Sequence, residues 1–76
     1  MTKVSININS IDKVKSFVNV ITRFDNDFDL IAGRYVIDAK SIMGIFSLDL
    51  SQNLDLVIQK DTDINEIMEA LKDFIV

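Results

Sequence analysis

The sequence predicts an α+β layer fold, with helices covering one face of a mostly antiparallel sheet. Three observations lead there. Apolar residues switch along the chain between a period of two and a period of three to four, the marks of half-buried strands and amphipathic helices. Their order is strand, helix, strand, strand, short helix, strand, helix, which suits helices gathered on one side of a sheet. No linker, repeat or low-complexity tract interrupts the 76 residues, so the chain reads as one domain over 1–76.

Each element has its own signal. Val4, Ile6 and Ile8 alternate with Ser5, Asn7 and Asn9, predicting a strand. Val14, Phe17, Val18, Ile21 and Phe24 form a helical stripe. Ser10 is its N-cap candidate, and Asp12 in the first turn suits the positive end of the helix dipole. Asp25-Asn26-Asp27 then breaks the helix. Phe28–Ala32 and Tyr35–Asp38 read as two strands around Gly33-Arg34, a hairpin pattern. Ser41 is a second N-cap candidate, opening the apolar segment Ile42 to Leu48. Gln52-Asn53 predicts a turn, with Asn suited to a left-handed conformation. Leu54, Leu56 and Ile58 mark a fourth strand. Asp61-Thr62-Asp63 is expected to cap a last helix whose stripe is Ile64, Ile67, Met68, Leu71, Phe74 and Ile75.

Composition excludes several kinds of chemistry. The chain has neither histidine nor cysteine, so it holds no phosphohistidine, phosphocysteine or thiolate metal site. No Ser-His or Cys-His pair and no glycine-rich phosphate loop is present, and no enzyme is expected. The twelve carboxylates show no spacing that selects an acid/base pair or a calcium loop, so no metal and no cofactor is expected. The net charge is −4 and the eight basic residues are scattered, which argues against nucleic acid. No apolar run approaches the roughly 20 residues that span a membrane, and no signal-peptide core follows Met1. A cytoplasmic protein without a membrane partner is the expectation.

Lys40-Ser41-Ile42-Met43-Gly44-Ile45-Phe46-Ser47-Leu48 is the most informative stretch. It holds Ile42, Met43, Ile45, Phe46 and Leu48, more apolar side chains than one or two helical turns can turn inward. Some of them are expected at the surface, as a patch suited to a protein partner.

This stretch closely resembles the K-S-I-M-G-hydrophobic-M-S-L signature of HPr, the small phosphocarrier of the bacterial sugar phosphotransferase system, with Phe46 in place of Met. The resemblance extends over nearly the whole chain. It implies an open-faced β-sandwich of order βαββαβα, a four-stranded antiparallel sheet with three helices on one face.

It also implies which residues to inspect. The family carries a G-hydrophobic-H-A-R-P sequence before its first helix. Counting back without gaps from Ser41, the active histidine falls at Ser10, the phosphate-binding arginine at Asp12 and the proline at Lys13. The resemblance therefore implies an HPr fold without phosphohistidine relay, comparable to Crh, a paralogue that lacks the histidine. Ser41 matches the serine that an ATP-dependent kinase modifies in many HPr proteins. Lys40, Ile42, Met43 and Phe46 match the partner-binding surface. On the first helix, basic family positions become Asp12, Asn19 and Thr22, while Arg23 stays basic, and Asp49 stands where the family often has Gly. The implied function is a regulatory or protein-binding module switched at Ser41. Its partner would be an HPr kinase, a transcriptional regulator or another phosphotransferase-system component. The alternatives are a phosphocarrier component phosphorylated at a non-histidine residue, or a degenerate structural copy. The oligomeric state stays open.

Overall fold

The computed structural model describes residues Met1–Val76. Its elements are β1 (Thr2–Ile6), α1 (Ile11–Ile21), β2 (Phe28–Ala32), β3 (Tyr35–Asp38), α2 (Ile42–Phe46), β4 (Leu54–Ile58) and α3 (Ile64–Leu71). The strands form one antiparallel sheet in the order β1-β4-β2-β3. β4, last in sequence, lies inside the sheet between β1 and β2. Its neighbours fix its register, with Leu56 opposite both Val4 and Leu30.

One sheet face carries the core. Ile6, Phe28, Leu30, Leu54, Leu56 and Ile58 point from the strands into the same buried cluster as Val14, Phe17, Val18 and Ile21 of α1, Ile45 of α2, and Ile67 and Leu71 of α3. Phe17 meets Phe74 edge-to-face, with ring centroids 5.8 Å apart. Such a pair adds about 0.5–1.5 kcal/mol beyond the area it buries. The opposite face is mixed: the Lys3–Asp55 ion pair crosses it at 3.6 Å, Ile31 and Val36 also lie on it, and Val57 is buried there. The period-two alternation has its expected cause, a face packed on the helices and a face open to solvent, with Val57 in the middle of β4 the exception.

Several boundaries differ from the sequence reading. α1 ends at Ile21 rather than reaching Phe24. Its last turn tightens, with the Phe24 amide donating to the Ile21 carbonyl. Ile8 is buried but lies past the end of β1. Phe74 and Ile75 lie past α3, and Ile75 bridges Ile6 at the edge of the sheet. Asn53 does not take a left-handed conformation. Its Oδ1 accepts from Asn7 Nδ2 at 3.1 Å, tying the loop before β4 to the end of β1. Asp63 at the N-cap of α3 makes no side-chain cap. It is the one non-glycine residue with positive φ, at 57°. Gly33 opens the β2–β3 turn at φ 61° and Arg34 follows without a positive φ, the pattern of a type II′ hairpin.

Asn26 is the single buried polar residue. Its Nδ2 donates to the carbonyls of Lys60 and Thr62, both at 3.0 Å, and so ties the entry of β2 to the connection between β4 and α3. Replacing Asn26 by Ala leaves these carbonyls without their donor and should cost about 1–3 kcal/mol in urea unfolding. Asn26→Asp should cost more than Asn26→Ala at neutral pH, because it sets a carboxylate against two carbonyl oxygens. Equal losses in the two variants would contradict this role.

Candidate functional site

The site is built around the start of α2. Ser41 is the N-cap, in extended conformation at φ −93°, ψ 102°, and its Oγ accepts from the Gly44 amide at 3.2 Å. The side chain is exposed. Gly44 has a local reason to be glycine. A Cβ there would lie 3.2 Å from Ser41 Oγ and 3.4 Å from Ile37 Cδ1, crowding the cap against β3. The first-turn amides of a helix have no intrahelical acceptor, so the hydroxyl stands where negative charge is favoured.

α2 turns one residue inward. Ile45 is buried, while Ile42 (38% exposed), Phe46 (40%) and Met43 (82%) lie on the surface. Leu48 is half-buried against the core. The sequence-predicted surplus of apolar residues is thus resolved by leaving three of them outside. The flexible thioether of Met43 suits an adaptable contact.

Lys40, expected with these residues, is engaged within the fold. Its Nζ donates to the Phe24 carbonyl at 2.7 Å and lies 5.5 Å from the centre of the Phe28 ring. Its amide donates to Asp38 Oδ1 at 2.9 Å. The ammonium therefore ties the connection between α1 and β2 to the chain where it turns into Ser41. This function was not readable from sequence, since the Phe24 carbonyl comes near only when α1 and α2 pack. The place of Gly44 against the Ser41 hydroxyl was also missed. A glycine inside so short a helix was its one available signal.

Ser10 occupies a similar local setting at the start of α1. It is extended at φ −145°, ψ 158°, is exposed, and its Oγ accepts from the Lys13 amide at 3.1 Å. Asp12 and Lys13 are exposed beside it. Asp49 stands beyond the far end of α2 from Ser41, and the Ser51 hydroxyl, then the Ser51 amide, hold its carboxyl below the usual carboxylate range. No group of three or more acidic residues is arranged to hold a metal ion.

The fold and the capped short helix with its apolar side chains define a small open-faced sandwich module of the phosphocarrier type. The family model for the PTS HPr component phosphorylation site matches residues 12–76. The chain belongs to the HPr family of the phosphotransferase system, and proteins of this family work with other components of that system. Two solved structures are similar to it. One is HPr-C-His from Thermoanaerobacter tengcongensis, 31% identical with a TM-score of 0.78, covering 96% of this chain and 89% of that one. The other is the histidine-containing phosphocarrier protein of Mycoplasma, 16% identical with a TM-score of 0.74, covering 95% and 89%, a likeness of fold. No curated protein matches the chain. No helix is long and apolar enough to cross a membrane.

Lys40 is the structural hinge of this site. Lys40→Met keeps most of its packing and removes the bond to Phe24, and should cost about 1–2 kcal/mol in thermal or urea unfolding. Unchanged stability would show that the ammonium does not hold the α1–α2 junction.

Proposed function

We propose that this protein is an HPr-like regulatory or binding module that carries no phosphoryl group on histidine and presents the Ile42, Met43 and Phe46 patch to a protein partner. The observation that carries the reading is the exposure of these three side chains around a capped, accessible Ser41 in a chain without histidine. The Mycoplasma relative is histidine-containing; this chain offers Ser10 at the position that the family spacing assigns to the histidine. A phosphate on serine is an ordinary monoester and a poor donor. At Ser10 it would also stand beside Asp12, and like charges repel.

Ser41 is the switch in this reading. A phosphate there meets the amide end of α2, which favours negative charge, and changes the electrostatics of the adjacent apolar surface. Lys40 serves by fixing the chain into that end rather than by touching the partner. Asp12, Asn19 and Thr22 replace basic groups of the family on and beside α1, where Lys13, Lys15 and Arg23 are basic, so steering towards acidic partner surfaces is reduced and apolar contact carries more of the binding. A kinase or a transcriptional regulator of the phosphotransferase system is the partner class. The module acts inside the cytoplasm and catalyses no reaction of its own.

Incubation with ATP and an HPr kinase, followed by intact mass and site mapping, should place one phosphate on Ser41 and none on Ser41→Ala. Absence of the modification sinks the switch. Phe46→Asp should abolish capture of the partner while leaving the fold intact by circular dichroism. Full retention of binding in that variant sinks the surface.

A further inference from the structure

The two edges of the sheet are protected differently. At the β1 edge the C-terminal residues lie alongside. Ile75 bridges Ile6, the Asn7 amide donates to the Phe74 carbonyl at 2.8 Å, and the Val76 amide donates to the Ser5 carbonyl at 3.0 Å. Lys3 also stands on that strand. The β3 edge has no such cover. Its residues, Tyr35 to Asp38, include no Lys and no Pro, the usual guards of an open edge. Tyr35 is 65% exposed and Val36 62%.

The register shows which backbone groups are free. The Ala39 amide donates to the Phe28 carbonyl at 2.9 Å, and the same ladder sets Leu30 opposite Ile37 and Ala32 opposite Tyr35. Those are the hydrogen-bonded pairs. Ile31–Val36 and Asp29–Asp38 alternate with them as the non-bonded pairs, so the N–H and C=O of Val36 point outward from the sheet. The Asp38 N–H points the same way, while its carbonyl accepts from the Ser41 amide at 3.0 Å.

We infer that β3 is a self-association edge, where two copies pair β3 antiparallel to β3 about a two-fold axis at Val36. Each Val36 then donates to and accepts from the partner's Val36. The same register sets Arg34 opposite the partner's Asp38, and Tyr35 opposite the partner's Ile37. Two reciprocal pairs of unlike charge result. Asp38 Oδ1 holds the Lys40 amide at 2.9 Å, which leaves the other oxygen for the guanidinium. Centring the axis on Arg34 or on Asp38 would instead set like charges opposite each other. The patch is therefore complementary to itself in one register, as an isologous contact requires. A groove of about 510 Å³, lined by Ala32, Tyr35, Ile37, Leu48 and Leu54 among others, opens on the helix side of this edge and leaves room for the partner's Tyr35. A contact built on so short a strand buries far less than the ~1,600 Å² of a standard interface, so the association is weak.

Sedimentation equilibrium and amide spectra of the full chain, from about 20 µM to about 1 mM, test this. The mass should rise towards that of a dimer, with amide shifts concentrated at residues 34–38 and slowed exchange of the Val36 amide. Val36→Pro is tolerated on an edge whose N–H faces outward, and should leave a folded monomer. Arg34→Asp, which reverses two cross-strand pairs, should weaken association about tenfold and decides the matter if the proline variant does not fold. A constant monomer mass up to about 1 mM overturns the proposal. So does a dimer indifferent to these substitutions, or one whose shifts fall on α2.

Discussion

Burial of one sheet face beneath three helices is the constraint on which the rest of this structure depends. The core is a single cluster of 16 buried residues, drawn from both layers. A domain this small has little surplus burial, so each helix is held mainly by the side chains it turns towards the sheet. For α1 this gives Val14, Phe17, Val18 and Ile21, and for α3 Ile67 and Leu71. For α2 it gives Ile45, supported by Leu48 behind it. A helix so short would not persist alone. It is fixed at its start by the Ser41 cap, by Gly44 against β3, and by Lys40 reaching back to the Phe24 carbonyl between α1 and β2. With the inward positions filled, Ile42, Met43 and Phe46 have nowhere to go but outward.

The two capped serines stand in parallel settings, yet their surroundings differ chemically. Ser10 begins a long helix beside Asp12 and has no apolar patch on its own first turn, where Ile11 alone is a large exposed apolar residue. Ser41 begins a short helix whose first residues are the exposed apolar ones. A charge added at Ser41 therefore falls next to the surface that a partner would bury. The same charge at Ser10 would mainly disturb a structural cap, worth about 1 kcal/mol. This asymmetry is why we propose regulation at the second serine and phosphoryl transfer at neither.

Much of this was legible in the residues themselves. The bounds of β2 and β3 follow from the hairpin pattern at Gly33-Arg34, and those of β4 from the alternation of Leu54, Leu56 and Ile58, which enter the core. Ser10 and Ser41 were readable as caps because a short polar side chain before an apolar stripe has a definite local use. What escaped the sequence depends on distant partners. The ends of α1 and α3 fall short of their apolar stripes because Phe24, Phe74 and Ile75 pack from outside the helix. Asn53 looked like a left-handed turn residue, but its amide oxygen is taken by Asn7 across the sheet end. Asp63 looked like a cap, but the chain enters α3 with that residue itself left-handed. The resemblance set Lys40 on the partner-binding surface, and its bond to Phe24 became visible only once α1 and α2 were packed together. The apolar excess of α2 was countable in sequence, but which of its residues face outward was not.

The central claim is that the family's docking surface persists here without its phosphoryl relay. Exposure of the full chain to phosphoenolpyruvate and enzyme I, read by intact mass under conditions that preserve acid-labile phosphate, tests it most directly. The account predicts that the protein leaves the reaction unphosphorylated, while a histidine-containing HPr in the same mixture is converted. An acid-labile or acyl phosphate on this chain, passed on to a further component, would contradict it.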